Sequence, residues 1–219
     1  YLCIAPVEGA TLDTRVGDEP MAAAEVARLG ALVAEALDSL HRQGVVHLDL
    51  KPGNVILSRR GAVLIDFGLA RHEKLPDLLG EESDDPMGSP ATISPEQLCG
   101  DRSRPESDLF ALGVIRYRLA TGQHPFDEPT TLAGQKRRLY RPPVPPVSLN
   151  AKVPPWLHEI VLRCLEVDPG ARYASAGQLL FDLNQPEQVS LTKRAERHRE
   201  GGPLARLAAG IRAIHLDLQ

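Results

Sequence analysis

The sequence predicts an α+β domain, mainly helical, with short β-hairpins. Apolar residues recur at helical spacing through residues 22–42, 108–120, 156–165 and 175–183. The apolar runs at 45–48, 55–57 and 62–65 are only a few residues long and read as small strands. With 219 residues, 42% hydrophobic and 25% charged, a packed core is expected and disorder throughout is not.

Taken in order, Tyr1-Leu2-Cys3-Ile4-Ala5 reads as a buried strand that needs a sheet to join. Its partners come from elsewhere in the chain, or the sequence is a fragment. Residues 22–42 place Val26, Leu29, Val33, Leu37 and Leu40 on one helical face, and Gly44 ends that helix. Two small strands, 45–48 and 55–57, flank the polar loop Asp49-Leu50-Lys51-Pro52-Gly53-Asn54. A further strand at 62–65 runs into Asp66-Phe67-Gly68. Residues 71–92 show no sustained periodicity and read as a long loop, of the kind that is functional or disordered.

Residues 108–120 are apolar on nearly all sides, as a helix at a domain centre must be. The chain has 19 prolines, and a cluster at 142–155 separates this helix from the next. Trp156, Ile160, Val161, Cys164 and Leu165 mark an amphipathic helix. Ser175 is a candidate N-cap for a last one carrying Leu179, Leu180 and Leu183. Residues 186–219 read as a charged tail or linker, with a weak amphipathic stripe at 203–215 and no membrane anchor.

The formal net charge of −4 disfavours nucleic acid as a partner. No apolar run reaches the roughly 18 residues of a membrane span, and no signal peptide opens the sequence. Cys3, Cys99 and Cys164 have neither metal-ligand nor disulfide spacing. They are expected to be core filler in a reducing, cytoplasmic compartment.

Asp49, Asn54 and Asp66 carry the chemical signal. Two share one short loop and the third ends a separate strand, so a base and two metal ligands can converge. Magnesium prefers carboxylate and amide oxygens and also binds substrate phosphates. Phosphoryl transfer needs positioning, metal ions and an acceptor for the hydroxyl proton. In such a site Asp49 is the base, Asn54 and Asp66 hold the metal, and Lys51 neutralises the transferred group.

The loop His47-Leu48-Asp49-Leu50-Lys51-Pro52-Gly53-Asn54 resembles the catalytic loop of protein kinases, and Asp66-Phe67-Gly68 resembles their magnesium motif. Ser94-Pro95-Glu96 resembles the segment that closes the activation loop. Ser107-Asp108-Leu109-Phe110 resembles the start of the central helix, and Gly122-Gln123-His124-Pro125-Phe126 the turn after it. Cys164 to Arg172 resembles the late helix whose Arg pairs with the Glu of the closing segment. Lys51 followed by Pro is similar to the serine/threonine branch, and Ser94-Pro95-Glu96-Gln97 to bacterial members.

The resemblance implies a kinase large lobe at 10–185, preceded at 1–9 by the last small-lobe strand and the hinge. Its cofactors are ATP and Mg2+, and its partners are proteins with Ser or Thr hydroxyls. It assigns Asp49 and Lys51 to catalysis and Asn54 and Asp66 to the metal. Nucleotide contacts fall to Ala5, Val7, Lys51, Asn54, Ile56 and Asp66. Structural support falls to His47, Phe67, Gly68, Glu96, Asp108 and Arg172, with Glu96 and Arg172 as an ion pair. Ser89 lies on the substrate segment, where it is expected to bond Asp49 and Lys51. The small lobe, with its Gly-rich loop and Lys–Glu pair, is missing from these residues, so weak activity is expected of the fragment. A further domain beyond the tail is possible on the same resemblance. Leu48 stands where the family usually has Arg, so no strong phosphorylation switch is expected. A pseudokinase-like scaffold without catalysis is the alternative, and a small-molecule phosphotransferase the third.

Overall fold

The computed structural model describes residues 6–82, 85–127, 129–192 and 194. The strand expected at 1–5, with Cys3 and Ala5, and the stripe at 203–215 lie outside them. From the N-terminal side, strand β1 (Ala10–Thr11) leads through a 3-10 turn (Leu12–Arg15) to helix α1 (Ala23–His41). Then come β2 (Val45–Val46), a 3-10 turn (Pro52–Asn54), β3 (Val55–Ser58), β4 (Gly61–Leu64) and β5 (Arg71–His72). Helices α2 (Leu78–Glu82), α3 (Pro95–Leu98), α4 (Glu106–Thr121), α5 (Leu132–Arg137), α6 (Pro146–Leu149), α7 (Pro155–Cys164) and α8 (Ala176–Asn184) follow.

Helix α4 is the centre of the fold. Phe110, Leu112, Val114 and Tyr117 on it are fully buried, and α1 and α7 pack against it. Burying four such side chains contributes on the order of 1.5–3 kcal/mol each. Gly122 ends α4 in the left-handed conformation (φ 72°), and its N–H caps the Arg118 carbonyl at 2.8 Å. Ser175 caps α8 by accepting from Gln178 N–H, at the position the sequence indicates.

Two small antiparallel sheets carry the polar loop. One has the order β1-β3-β4, with Val55 opposite Leu64 and Thr11 opposite Ile56. The other pairs β2 with β5, Val45 opposite His72 and Val46 opposite Arg71.

Four expectations need correction. The strand expected at 45–48 ends at Val46, because Leu48 turns to φ 62° and the His47 and Leu48 amides bond the Asp108 carboxylate instead of a neighbouring strand. The segment 71–92 is not loop throughout. It contains β5 and α2, and a two-residue strand is too short to leave a periodic signal. The proline cluster contains α6, with Pro146 in its first turn, where a missing N–H costs nothing. Cys164 is core as expected, but Cys99 is exposed.

Candidate active site

Asp108 opens the site from below. It sits in the first turn of α4, is 1% exposed, and its Oδ1 accepts from Leu48 N–H at 2.9 Å. Its Oδ2 accepts from His47 N–H at 2.9 Å, and His41 Nε2 lies 2.8 Å from the same oxygen. Gln97 Nε2 then donates to the Leu48 carbonyl at 2.8 Å. A leucine at positive φ costs roughly 1–3 kcal/mol, and these charge-assisted bonds offset it. The strained turn delivers Asp49 at the end of a rigid loop.

The Asp49 carboxylate is buried and held from three sides. Oδ1 accepts from Ser89 N–H at 2.8 Å. Oδ2 accepts from Lys51 Nζ at 2.9 Å and from Asn54 Nδ2 at 3.2 Å. Asn54 also donates to the Asp49 carbonyl at 2.9 Å, which commits its nitrogen and leaves Oδ1 as its remaining ligand atom for a cation. Ser89 thus reaches Asp49 through its backbone amide.

Asp66 is tied in through its neighbour. Ile65 N–H donates to the Asn54 carbonyl at 3.0 Å, and the Ile65 carbonyl lies 3.1 Å from His47 Nε2. Asp66 then turns to φ 62°, a conformation Asp tolerates, and its side chain is exposed. Phe67 packs its ring 5.1 Å from His47 while remaining 47% exposed, and Gly68 follows it in the same turn. Among the described residues no three His, Cys, Asp or Glu side chains form a metal cage. Ile56 lies beneath the chain that follows Val7: its Cγ2 is 2.8 Å from where a Cβ on Gly9 would fall. Ala5 lies outside the described residues.

The segment leading to Ser89 is held by side chains the sequence does not flag. Gln97 Nε2 donates to the Met87 carbonyl at 3.1 Å, and buried Arg138 donates to the carbonyls of Pro90 and Ile93. Burial lowers the Arg138 guanidinium to about 10, which still leaves it charged at neutral pH. His124 Nε2 lies 2.8 Å from the Ala91 carbonyl. Glu96 and Arg172 meet in two parallel bonds of 2.7 and 2.8 Å, with Ser107 Oγ donating to Glu96 at 2.6 Å.

Arg102 closes the other end. It is 5% exposed and donates to Asp77 Oδ2 (2.9 Å), the Leu69 carbonyl (3.0 Å) and Met87 Sδ (3.2 Å). One side chain therefore clasps the start, middle and end of the segment 69–87. Burial raises the Asp77 carboxyl, but Arg102, the Gly80 amide and the charge of Arg71 together hold it below its ordinary value. Arg102→Met is expected to cost about 1–3 kcal/mol in urea unfolding and to speed proteolytic cleavage within 71–87. Unchanged cleavage would remove Arg102 as the clasp.

With this geometry in view, similarity to known proteins is informative. A family model described as "Protein kinase domain" matches residues 1–182. The chain belongs to the protein kinase family. It is 35% identical over 209 residues to the serine/threonine-protein kinase Pkn1 of Myxococcus xanthus, covering 92% of this chain. It is 34% identical over 187 residues to PknB of Mycolicibacterium smegmatis and 34% over 182 residues to PksC of Streptomyces coelicolor, covering 84% and 80% of this chain. The kinase chain spans only 30%, 30% and 33% of the length of these three relatives. Among its described residues no helix is long and apolar enough to cross a membrane.

Proposed function

We propose that this chain is the catalytic lobe of a cytoplasmic serine/threonine protein kinase, moving the γ-phosphate of ATP to protein hydroxyls. The observation that carries the reading is the Asp49 carboxylate fixed by Ser89, Lys51 and Asn54. A carboxylate offers about four acceptor positions. Three are used here, so one remains to orient an incoming hydroxyl and take its proton. That position is on Oδ1, and Lys51 Nζ, bonded to the other oxygen Oδ2, would neutralise charge growing on the transferred group. Asn54 through Oδ1 and Asp66 would hold magnesium, which supplies charge neutralisation at the phosphates when bound. Ser89 would mark the segment against which the acceptor lies. Val7, Ile56 and the hinge at 1–9 would hold the nucleotide base, with Ala5 at the hinge.

The Gly-rich loop and the Lys–Glu pair of an opposing lobe are not among these residues, so the chain alone would transfer phosphate weakly. Leu48 gives a loop phosphate no positive partner, and the Arg102–Asp77 pair already supplies order to that segment. The fixed Asp49 speaks against a scaffold without catalysis. Radiolabelled ATP and a Ser/Thr-containing protein acceptor test the reading. The product of the complete reading frame is expected to label the acceptor, and the 219-residue chain to label it far less. Robust turnover by the chain alone would overturn the need for a second lobe; no labelling by either would overturn the kinase assignment.

A further inference from the structure

A pocket of about 200 Å3 opens directly beside the Asp49 loop. Lys51 and Ser89, both bonded to Asp49, line it together with the apolar Pro90, Val114 and Ile115 and with Arg118. No Asp or Glu lines it among the described residues. Lys51 is already committed to Asp49, whereas Arg118 forms no ion pair among the described residues. Arg118 extends from the last turn of α4 and is only half-buried, so its charge costs little to keep unpaired. Burial lowers the nearby His124 imidazole, its bonds to the Ala91 and Phe126 carbonyls raise it, and the charges of Arg138 and Arg118 add to the lowering.

An extended peptide advances about 3.3–3.6 Å per residue. A hydroxyl presented to Asp49 therefore brings its neighbours, within about three residues, over this pocket. We propose that the pocket seats an uncharged side chain next to the acceptor and that Arg118 selects substrates carrying Asp or Glu within three residues of it. This rests on the kinase reading and adds the substrate class, an acidic peptide segment. A basic neighbour meets Lys51 and Arg118 as like charges, so the pocket rejects it as well as favouring its opposite.

The test uses the full-length gene product and three peptides that share one acceptor but carry acidic, neutral or basic flanks. The expected kcat/KM is roughly tenfold higher for the acidic than for the basic peptide, a ratio equal to about 1.4 kcal/mol. Arg118→Gln is expected to bring that ratio towards one, and Arg118→Glu to reverse it. Reading the ratio within each enzyme cancels any general loss of activity or fold. Equal rates on the three peptides, or an acidic preference retained in Arg118→Glu, would overturn this inference and leave the kinase reading standing. Phosphorylation of none of the peptides by the unmodified protein would overturn both.

Discussion

Asp49→Asn is expected to lower phosphate transfer to protein by about 10²–10⁴-fold, the range lost when a positioned general base is removed. The amide keeps the size and an oxygen for the Ser89 amide, which lies 2.8 Å away. It loses the proton acceptor and the charge facing Lys51. That ion pair is partly exposed, with Lys51 36% accessible, so its loss costs at most about 1 kcal/mol of stability. The expected signature is a collapsed kcat with a nearly unchanged melting temperature and ATP affinity. A variant in the full-length protein retaining more than a tenth of the rate would take Asp49 out of the chemistry.

The second large effect falls on stability. Arg172→Ala is expected to destabilise the protein by roughly 3–5 kcal/mol, because it strands a buried carboxylate. The Arg172 side chain is 0% exposed and Glu96 7%. Arg172 also donates to the carbonyls of Glu166, Glu106 and Val167, so its removal orphans several acceptors at once. Its guanidinium lies 4.9 Å from the Phe110 ring, which fixes it against the central helix. Urea unfolding at neutral pH measures the loss; a change under 1 kcal/mol would show the pair to be incidental.

The pH dependence has a definite sign. Burial raises the Glu96 carboxyl, but the Arg172 charge, its hydrogen bonds and the Ser107 hydroxyl together hold it below its ordinary value of 4.5. A carboxyl depressed in the folded state contributes stability that is present above its unfolded value. That contribution is lost as pH falls below about 4.5 and through the lower folded value. The unmodified protein should therefore weaken in that window more steeply than Arg172→Ala does.

How much of this the sequence discloses depends on range. Helix α4 is legible because it is apolar all round, and α8 because Ser175 caps it next to a leucine stripe. Asp49 and Asn54 are legible because six consecutive residues of one loop hold both. Asp66 becomes legible only as the end of a separate strand. The clasp is different: Arg102 meets residues 25 and 33 positions earlier, and Arg138 reaches back 45 and 48. No local pattern announces partners so far away, and a lone Arg in a loop reads as solvated surface. Strand β5 stays hidden for a related reason, since two residues form a strand only where β2 waits to receive them.

The Asp108 carboxylate has one more consequence. It ties the reactive loop to the most deeply sealed part of the molecule through the His47 and Leu48 amides. Such a loop cannot loosen by itself on warming, because its anchors give way only when the interior does. Turnover should thus hold up to the edge of denaturation and then vanish abruptly, with no gradual fade at milder heat.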